Sequence, residues 1–354
     1  MSRGRFGRRR GAHANGEAAA ASGLTTAAGR SLHDTSARAT VPTRLYYASD
    51  IHGTEGLWRK FLSAASAYRA GVIVMGGDVA GKVVVPLLES SGGYVLELFG
   101  QREQLRDEEH VQEAEQRIRA NGMYPHRMSS AEAVRVGELP EEERETWFAQ
   151  VMMETFDHWL ALAAERLRDS EVRCFVMPGN DDPPGIEDSI ERATRVEACD
   201  ERIVEFGGYP MISLGYSNRT PFDSPRELDE DELYRRVEQL AEQLEQPARA
   251  IFNLHVPPYD STLDTAAELD ENLSVVTIGA EAKLIPVGST AVRELIERYQ
   301  PLLSLHGHVH ESPGATRIGR TLCINPGSAY HTGRIAGCLI KLEGERARHQ
   351  FVTG

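Results

Sequence analysis

Five times along the chain a continuous apolar run stops abruptly in glycine and polar residues. The five are TRLYYASDIHG (43–53), AGVIVMGGDVAG (70–81), EVRCFVMPGNDD (171–182), ARAIFNLHVPP (248–258) and QPLLSLHGHVH (300–310). Short runs rich in β-branched and aromatic residues read as strands, and an unbroken apolar pattern means burial on both faces. Between them stand patterns of helical period: GLWRKFLSAASAYRA (56–70), DELYRRVEQLAEQLEQ (231–246) and STAVRELIERYQ (289–300). Doubly buried strands alternating with amphipathic helices place the chain in the α/β class, with sheets covered by helices. The C-terminal stretches TRIGRTLCINPGS and IAGCLIKLEGERARHQFVTG read as further short strands joined by turns.

The region from 82 to 170 departs from this rhythm. KVVVPLLESSGGYVLELFG (82–100) predicts a β-hairpin turning at Ser-Ser-Gly-Gly, and a charged, mostly helical stretch follows. In its last part Met152, Phe156, Trp159, Ala163 and Leu167 recur at helical spacing. A stripe of that kind is the packed face of a helix. The Pro-rich segment YSNRTPFDSPRELDED (216–231) reads as a loop that opens a helix through Asp or Ser capping.

At 354 residues, 41% hydrophobic and 26% charged, the chain has the composition of a globular protein with a substantial core. No apolar run approaches the roughly 18 residues that span a bilayer, so no membrane association is expected. Residues 1–40 hold seven Arg against Glu17 and Asp34 and almost no large apolar side chain. They are expected to form a disordered basic tail, with the folded domain over 41–354. No apolar segment follows the arginines as an export signal requires. Cys174, Cys199, Cys323 and Cys338 are scattered, and Cys174 and Cys323 sit within strand-like runs. They read as core residues in a reducing, cytoplasmic setting. A formal net charge of -14 disfavours a nonspecific grip on nucleic acid.

The strand ends carry the functional signal. In order they present Asp50-x-His52, Gly77-Asp78, Gly179-Asn180, His255 and Gly307-His308-x-His310. Ligands of open α/β sheets bind at the carboxyl ends of strands. Any one of these is an ordinary turn or a lone histidine. Together, each directly after an apolar strand, they predict a shared metal site. Strict strand alternation would put His308 and His310 on one face, either side of Val309, where they would serve two neighbouring centres.

This series resembles the calcineurin-like metallophosphoesterase superfamily, from about Leu45 to the C-terminus, with 82–170 as an insertion longer than usual there. The resemblance implies a four-layer α/β/β/α sandwich of two mixed sheets with a hairpin-plus-helical insertion. It also implies a first metal on Asp50, His52 and His310, a second on Asn180, His255 and His308, and Asp78 bridging both. The donor set of imidazole, carboxylate and amide without thiolate suits two divalent or trivalent ions drawn from Mn, Fe, Zn, Co and Ni. By that resemblance two such ions would hold and acidify a water for attack on phosphorus in line with the leaving group. The implied activity is hydrolysis of a small phosphomonoester or phosphodiester.

In most members a histidine follows the metal-binding Asn and serves the leaving oxygen; here the position is Asp181. Three outcomes are open. Asp181 is protonated through bound substrate or Asp182, or His331 of NPGSAYHTG supplies the acid, or the enzyme is slow or restricted to good leaving groups. A plain turn-capping role for Asp181 is the structural alternative. The CINPGS turn reads as structural, and Lys82 reads either as a phosphate contact or as a solvated side chain. The rival functions are a nuclease, which the acid-rich insertion disfavours, and a non-catalytic interaction module of the same fold.

Overall fold

The computed structural model describes residues 43–354, so the tail expected over 1–40 lies outside the described residues. The chain opens with β1 (Thr43–Ala48), α1 (Glu55–Ala67) and β2 (Val72–Gly76). The inserted region follows as β3 (Val84–Ser90), β4 (Gly93–Leu98), β5 (Gln101–Leu105), α2 (Glu108–Ala120), β6 (Tyr124–Met128), α3 (Ser130–Gly137) and α4 (Glu141–Arg166). Then come β7 (Arg173–Met177), α5 (Ile186–Arg192), β8 (Glu197–Ala198), β9 (Arg202–Phe206), β10 (Tyr209–Leu214), α6 (Glu230–Ala241) and β11 (Ile251–Leu254). The chain ends with α7 (Thr290–Tyr299), β12 (Leu303–Leu305), β13 (Gly314–Ile318), β14 (Thr321–Asn325), β15 (Ala336–Glu343) and β16 (Arg346–Thr353).

Two six-stranded mixed sheets result, in the orders β16-β15-β1-β2-β7-β8 and β13-β14-β12-β11-β10-β9. In the first, β1, β2, β7 and β8 pair in parallel and β15 and β16 add an antiparallel edge; in the second, β10, β11, β12 and β14 pair in parallel between antiparallel β9 and β13. Strand alternation explains why the runs are unbroken. Leu45, Tyr47, Val72, Val74, Phe175 and Met177 of the first sheet face Met211, Ile251, Leu303, Leu305, Leu322 and Ile324 of the second. Their neighbours Tyr46, Ala48, Ile73, Met75, Cys174 and Val176 point the other way, onto α1, α4 and α5. On the far side of the second sheet Ile212, Leu214, Phe252 and Leu254 meet α6 and α7. This is the α/β/β/α sandwich.

The hairpin at Ser-Ser-Gly-Gly forms, with Ser90 paired to Gly93, but it grows into a four-stranded sheet β5-β4-β3-β6. Two strands therefore lie where the sequence reads as mostly helical. Val85, Leu87, Leu96 and Leu105 close over Val111, Ala114 and Ile118 of α2 as a small core of their own. The stripe of α4 is core: Phe156, Trp159, Ala163 and Leu167 are buried, and Met152 packs beside them. Trp58 donates its indole N–H to Trp159 O at 2.9 Å, tying α1 to α4.

At α6, Asp229 occupies the boundary position without capping it. Its carboxylate accepts from Arg219 Nε at 3.0 Å, so the expected side-chain cap is absent there. Ser289 caps α7, accepting from Val292 N at 3.1 Å, and Glu230 braces that cap by accepting from Ser289 Oγ at 2.6 Å and Ala291 N at 2.9 Å.

Candidate metal centre

The five strands with polar ends all stop on the same rim of the sandwich, and their loops stay in register beyond the sheets. Asp50 N donates to Gly77 O at 3.0 Å, His52 N to Asp78 O at 3.0 Å and Gly53 N to Val79 O at 2.9 Å. On the other sheet Gly307 N donates to His255 O at 2.9 Å. The backbone is bent hard at these points. Asp50, His52, Asp78 and His308 have φ of 59°, 39°, 49° and 64°, the left-handed region that L residues avoid.

The glycines that precede the polar residues have a steric origin. A Cβ on Gly179 would lie 2.1 Å from Asp78 Oδ1, and one on Gly307 would lie 2.3 Å from Asp50 Oδ2. Each glycine makes room for a carboxylate from another loop.

Seven side chains predicted from sequence meet here. His52 Nε2 and His310 Nε2 stand 3.0 Å apart, and His310 Nε2 is 3.4 Å from Asp50 Oδ1. His255 Nε2 lies 3.4 Å from Asp78 Oδ2 and 3.1 Å from Asn180 Oδ1, which also faces His308 Nδ1 at 2.8 Å. His52 Nε2 is 3.8 Å from Asp78 Oδ2, so Asp78 stands between the two groups. Ligand-capable atoms of Asp50, His52 and His310 fall within 4.8 Å of one another, as do those of Asp50, Asp78 and His255. Two nitrogens bound to one ion at about 2.0–2.1 Å are separated by roughly 3 Å. The donor set and its spacing therefore fit metal binding.

The expectation for His308 and His310 needs a correction in its reasoning. β12 ends at Leu305 and His308 turns left-handed, so strand alternation does not place them. The bend itself sends His308 toward Asn180 and His310 toward His52.

Charge organises the site. Burial opposes ionisation of Asp50, but the His310 hydrogen bond and the charges of His255 and His310 outweigh it and hold the carboxyl low. Asp78 is likewise buried, yet His255 and His52 draw its carboxyl far below the ordinary range. Burial alone would lower His255; between Asp78 and Asp50 it rises to about 10. His308 is pushed down to about 4 by burial and by the charge of His255. Burial also lowers His52.

Asp182 has a different task from its neighbours. Its carboxylate accepts from Gly179 N at 2.7 Å, Val79 N at 3.1 Å and Ala80 N at 2.6 Å, pinning two metal-site loops together. Asp181 lies at the mouth. Its Oδ1 accepts from Ser224 Oγ at 2.5 Å, its Oδ2 pairs with the Lys82 ammonium, and its N donates to Asp78 Oδ1 at 2.9 Å. His331 is exposed on a short turn, its ring edge-on to Tyr330. Tyr330 is the residue of that turn that reaches the cluster, with ring centroids 4.8 Å from His52 and 5.8 Å from His310. Ser328 of CINPGS donates to Asp50 O at 2.6 Å. Ser224 and Tyr330 are the contacts that sequence reasoning missed, and neither sits in a motif that would have marked it.

No family model matches the sequence. The uncharacterized protein MJ1162 of Methanocaldococcus jannaschii is 30% identical over 159 residues, 44% of this chain; the chain spans 63% of that relative's length. One solved crystal structure superimposes with a TM-score of 0.53 at 15% identity, covering 88% of this chain and 99% of its own, and shares the fold. TT1561 of Thermus thermophilus aligns at TM-score 0.48 and 13% identity over 88% of this chain and 99% of its own. A novel archaeal phosphodiesterase aligns at 0.30 and 10% over 88% and 100%. These last two likenesses are too loose to bear on function.

Proposed function

We propose that the protein is a dinuclear metal-dependent phosphoesterase of the metallophosphoesterase type, acting on a small phosphomonoester or phosphodiester. The observation that carries this reading is the convergence of Asp50, His52, Asp78, Asn180, His255, His308 and His310 from two sheets into one cluster, the first five buried and the last two half-buried. Asp50, His52 and His310 would hold one cation and Asn180, His255 and His308 the other, with Asp78 shared. Bound there, such a pair supplies Lewis acidity toward a phosphoryl oxygen and acidifies water.

Backbone groups fix the ligands. The backbone N–H of His308 donates to both Asp50 oxygens, each at 3.1 Å, and His255 Nδ1 bonds Gly76 O at 2.8 Å, which leaves Nε2 free to ligate. The amide of Asn180 adds a ligand oxygen with no further negative charge. Asp181 has both carboxylate oxygens occupied by donors, which is the arrangement of an ionised acceptor rather than a proton donor. With His331 exposed, the reading favours esters whose leaving groups need little protonation.

Metal analysis of the purified protein, followed by assay of p-nitrophenyl phosphate and bis-p-nitrophenyl phosphate with added manganese, tests the proposal. About two metal ions per chain and turnover of at least one ester are expected. Bound metal with neither ester hydrolysed would favour the interaction-module alternative, and failure to take up any of manganese, iron or zinc would sink both the site and the function.

A further inference from the structure

Lys82 and Ser224 arrive at the site from separate parts of the chain. Lys82 opens the inserted region just after the Asp78 loop, and Ser224 belongs to the 216–231 loop. Both close on one carboxylate. Ser224 Oγ donates to Asp181 Oδ1 at 2.5 Å, Asn180 Nδ2 approaches the same oxygen at 3.3 Å, and the ammonium of Lys82 pairs with Oδ2. An isolated surface pair of Lys and Asp contributes little. This one differs because the Asp181 side chain is only 13% exposed and is fixed by a third residue. It also shares a cluster of ligand-capable atoms, within 4.8 Å, with His52 and Asp78.

Two consequences follow from that fixation. The Lys82 side chain remains 56% exposed, so its ammonium is anchored at the mouth and still open to solvent. An ammonium has three donors, and one given to Asp181 leaves two. Arg226, whose N donates to Asn180 O at 3.1 Å, is buried and commits its guanidinium to Glu187 and, at 2.5 Å, to Asp200.

We propose that Lys82 contacts a non-bridging phosphoryl oxygen of the substrate, and that Asp181 is the positioning residue that, with Ser224, holds its ammonium over the cluster. The inference rests on the phosphoesterase reading above. It accounts for a carboxylate at a position that faces a phosphate anion, since Lys82 cancels its charge. It also accounts for the restraint, because an untethered lysine stem would lose several rotors on reaching a phosphate. A tethered ammonium makes a charge-assisted bond at smaller cost.

The test is calorimetric titration of inorganic phosphate into the manganese-loaded protein, with metal content measured on every variant. Lys82→Met should raise the phosphate Kd about tenfold and Lys82→Arg should restore it to within about threefold, both with metal content unchanged. Asp181→Asn should weaken phosphate binding when Lys82 is present. In the Lys82→Met background it should strengthen binding, because it then removes an uncompensated negative charge. A purely structural Asp181 would weaken binding in both backgrounds, which overturns its positioning role. A phosphate Kd for Lys82→Met within about twofold of the wild type overturns the contact. Loss of metal from Asp181→Asn would make Asp181 a ligand and also overturn the inference. A wild type that takes up none of manganese, iron or zinc refutes the phosphoesterase reading itself, and this inference with it, before any variant is compared.

Discussion

Asp78 occupies the most demanding position in the site: it is buried, it faces His52 and His255, and its own backbone sits at φ 49°. Left-handed φ at a non-glycine residue costs on the order of 1–3 kcal/mol and persists only where surrounding structure enforces it. Here Asp50, His52 and His308 share the condition, so four of the seven candidate ligand positions carry it. Removing the side chain should therefore separate function from stability. Asp78→Ala and Asp78→Gly should both lose metal and nearly all hydrolysis. In metal-free protein, however, the glycine variant should be the more stable by about 1 kcal/mol, because glycine adopts this φ freely. Urea denaturation of the two variants in chelator checks the order. Equal stability would mean that the loop relaxes away from the left-handed region once the carboxylate is gone.

At the level of elements, the central strands and the loops that follow them were legible because two physical demands coincide in the sequence. Burial on both faces leaves β2 with no polar residue, and the glycines before Asn180 and His308 are required by carboxylates of neighbouring loops. The insertion was less legible. β5 (QREQL) buries only Leu105, and β6 (YPHRM) carries Pro125, which argues against a strand unless it lies at an edge, as β6 does. Neither displays the alternation by which a strand is recognised; their pairing is decided by the β3–β4 hairpin they flank. The grip on Asp181 was equally hidden, since Ser224 meets it from a loop 43 residues away. The stripe on α4, in contrast, was visible at helical period and is what joins the insertion to the first sheet. Trp159→Ala should cost about 3–5 kcal/mol, judged from large-to-small core substitutions. The loss of its stacking on Trp58, now at 6.2 Å between ring centroids, adds to the cavity. A chemical-denaturation midpoint unchanged by the substitution would mean that α4 is not part of the cooperative core.

At the largest scale, the two six-stranded sheets meet in a contact that is apolar in the middle and ionic at one rim. Asp50, His52, Asp78 and Asn180 extend from strands of the first sheet; His255, His308 and His310 extend from strands of the second. Cations held by both sets would cross-link the layers, and a ligand that binds only the folded state stabilises it by mass action. At a hundredfold excess over Kd, one ion adds about 2.7 kcal/mol, which for a domain of this size is about 4 °C in Tm. Stripping with chelator should lower the Tm by at least that much, and manganese should restore it. The gap should also depend on pH in a fixed direction. In metal-free protein the charges of Asp78 and Asp50 hold His255 protonated up to about 10, so an ion must displace that proton to bind. Affinity, and with it the Tm difference between loaded and stripped protein, should widen from pH 6 toward pH 8. A gap that is absent, or that narrows over this range, would mean that the metal does not engage His255 and that the two layers are not joined through this site.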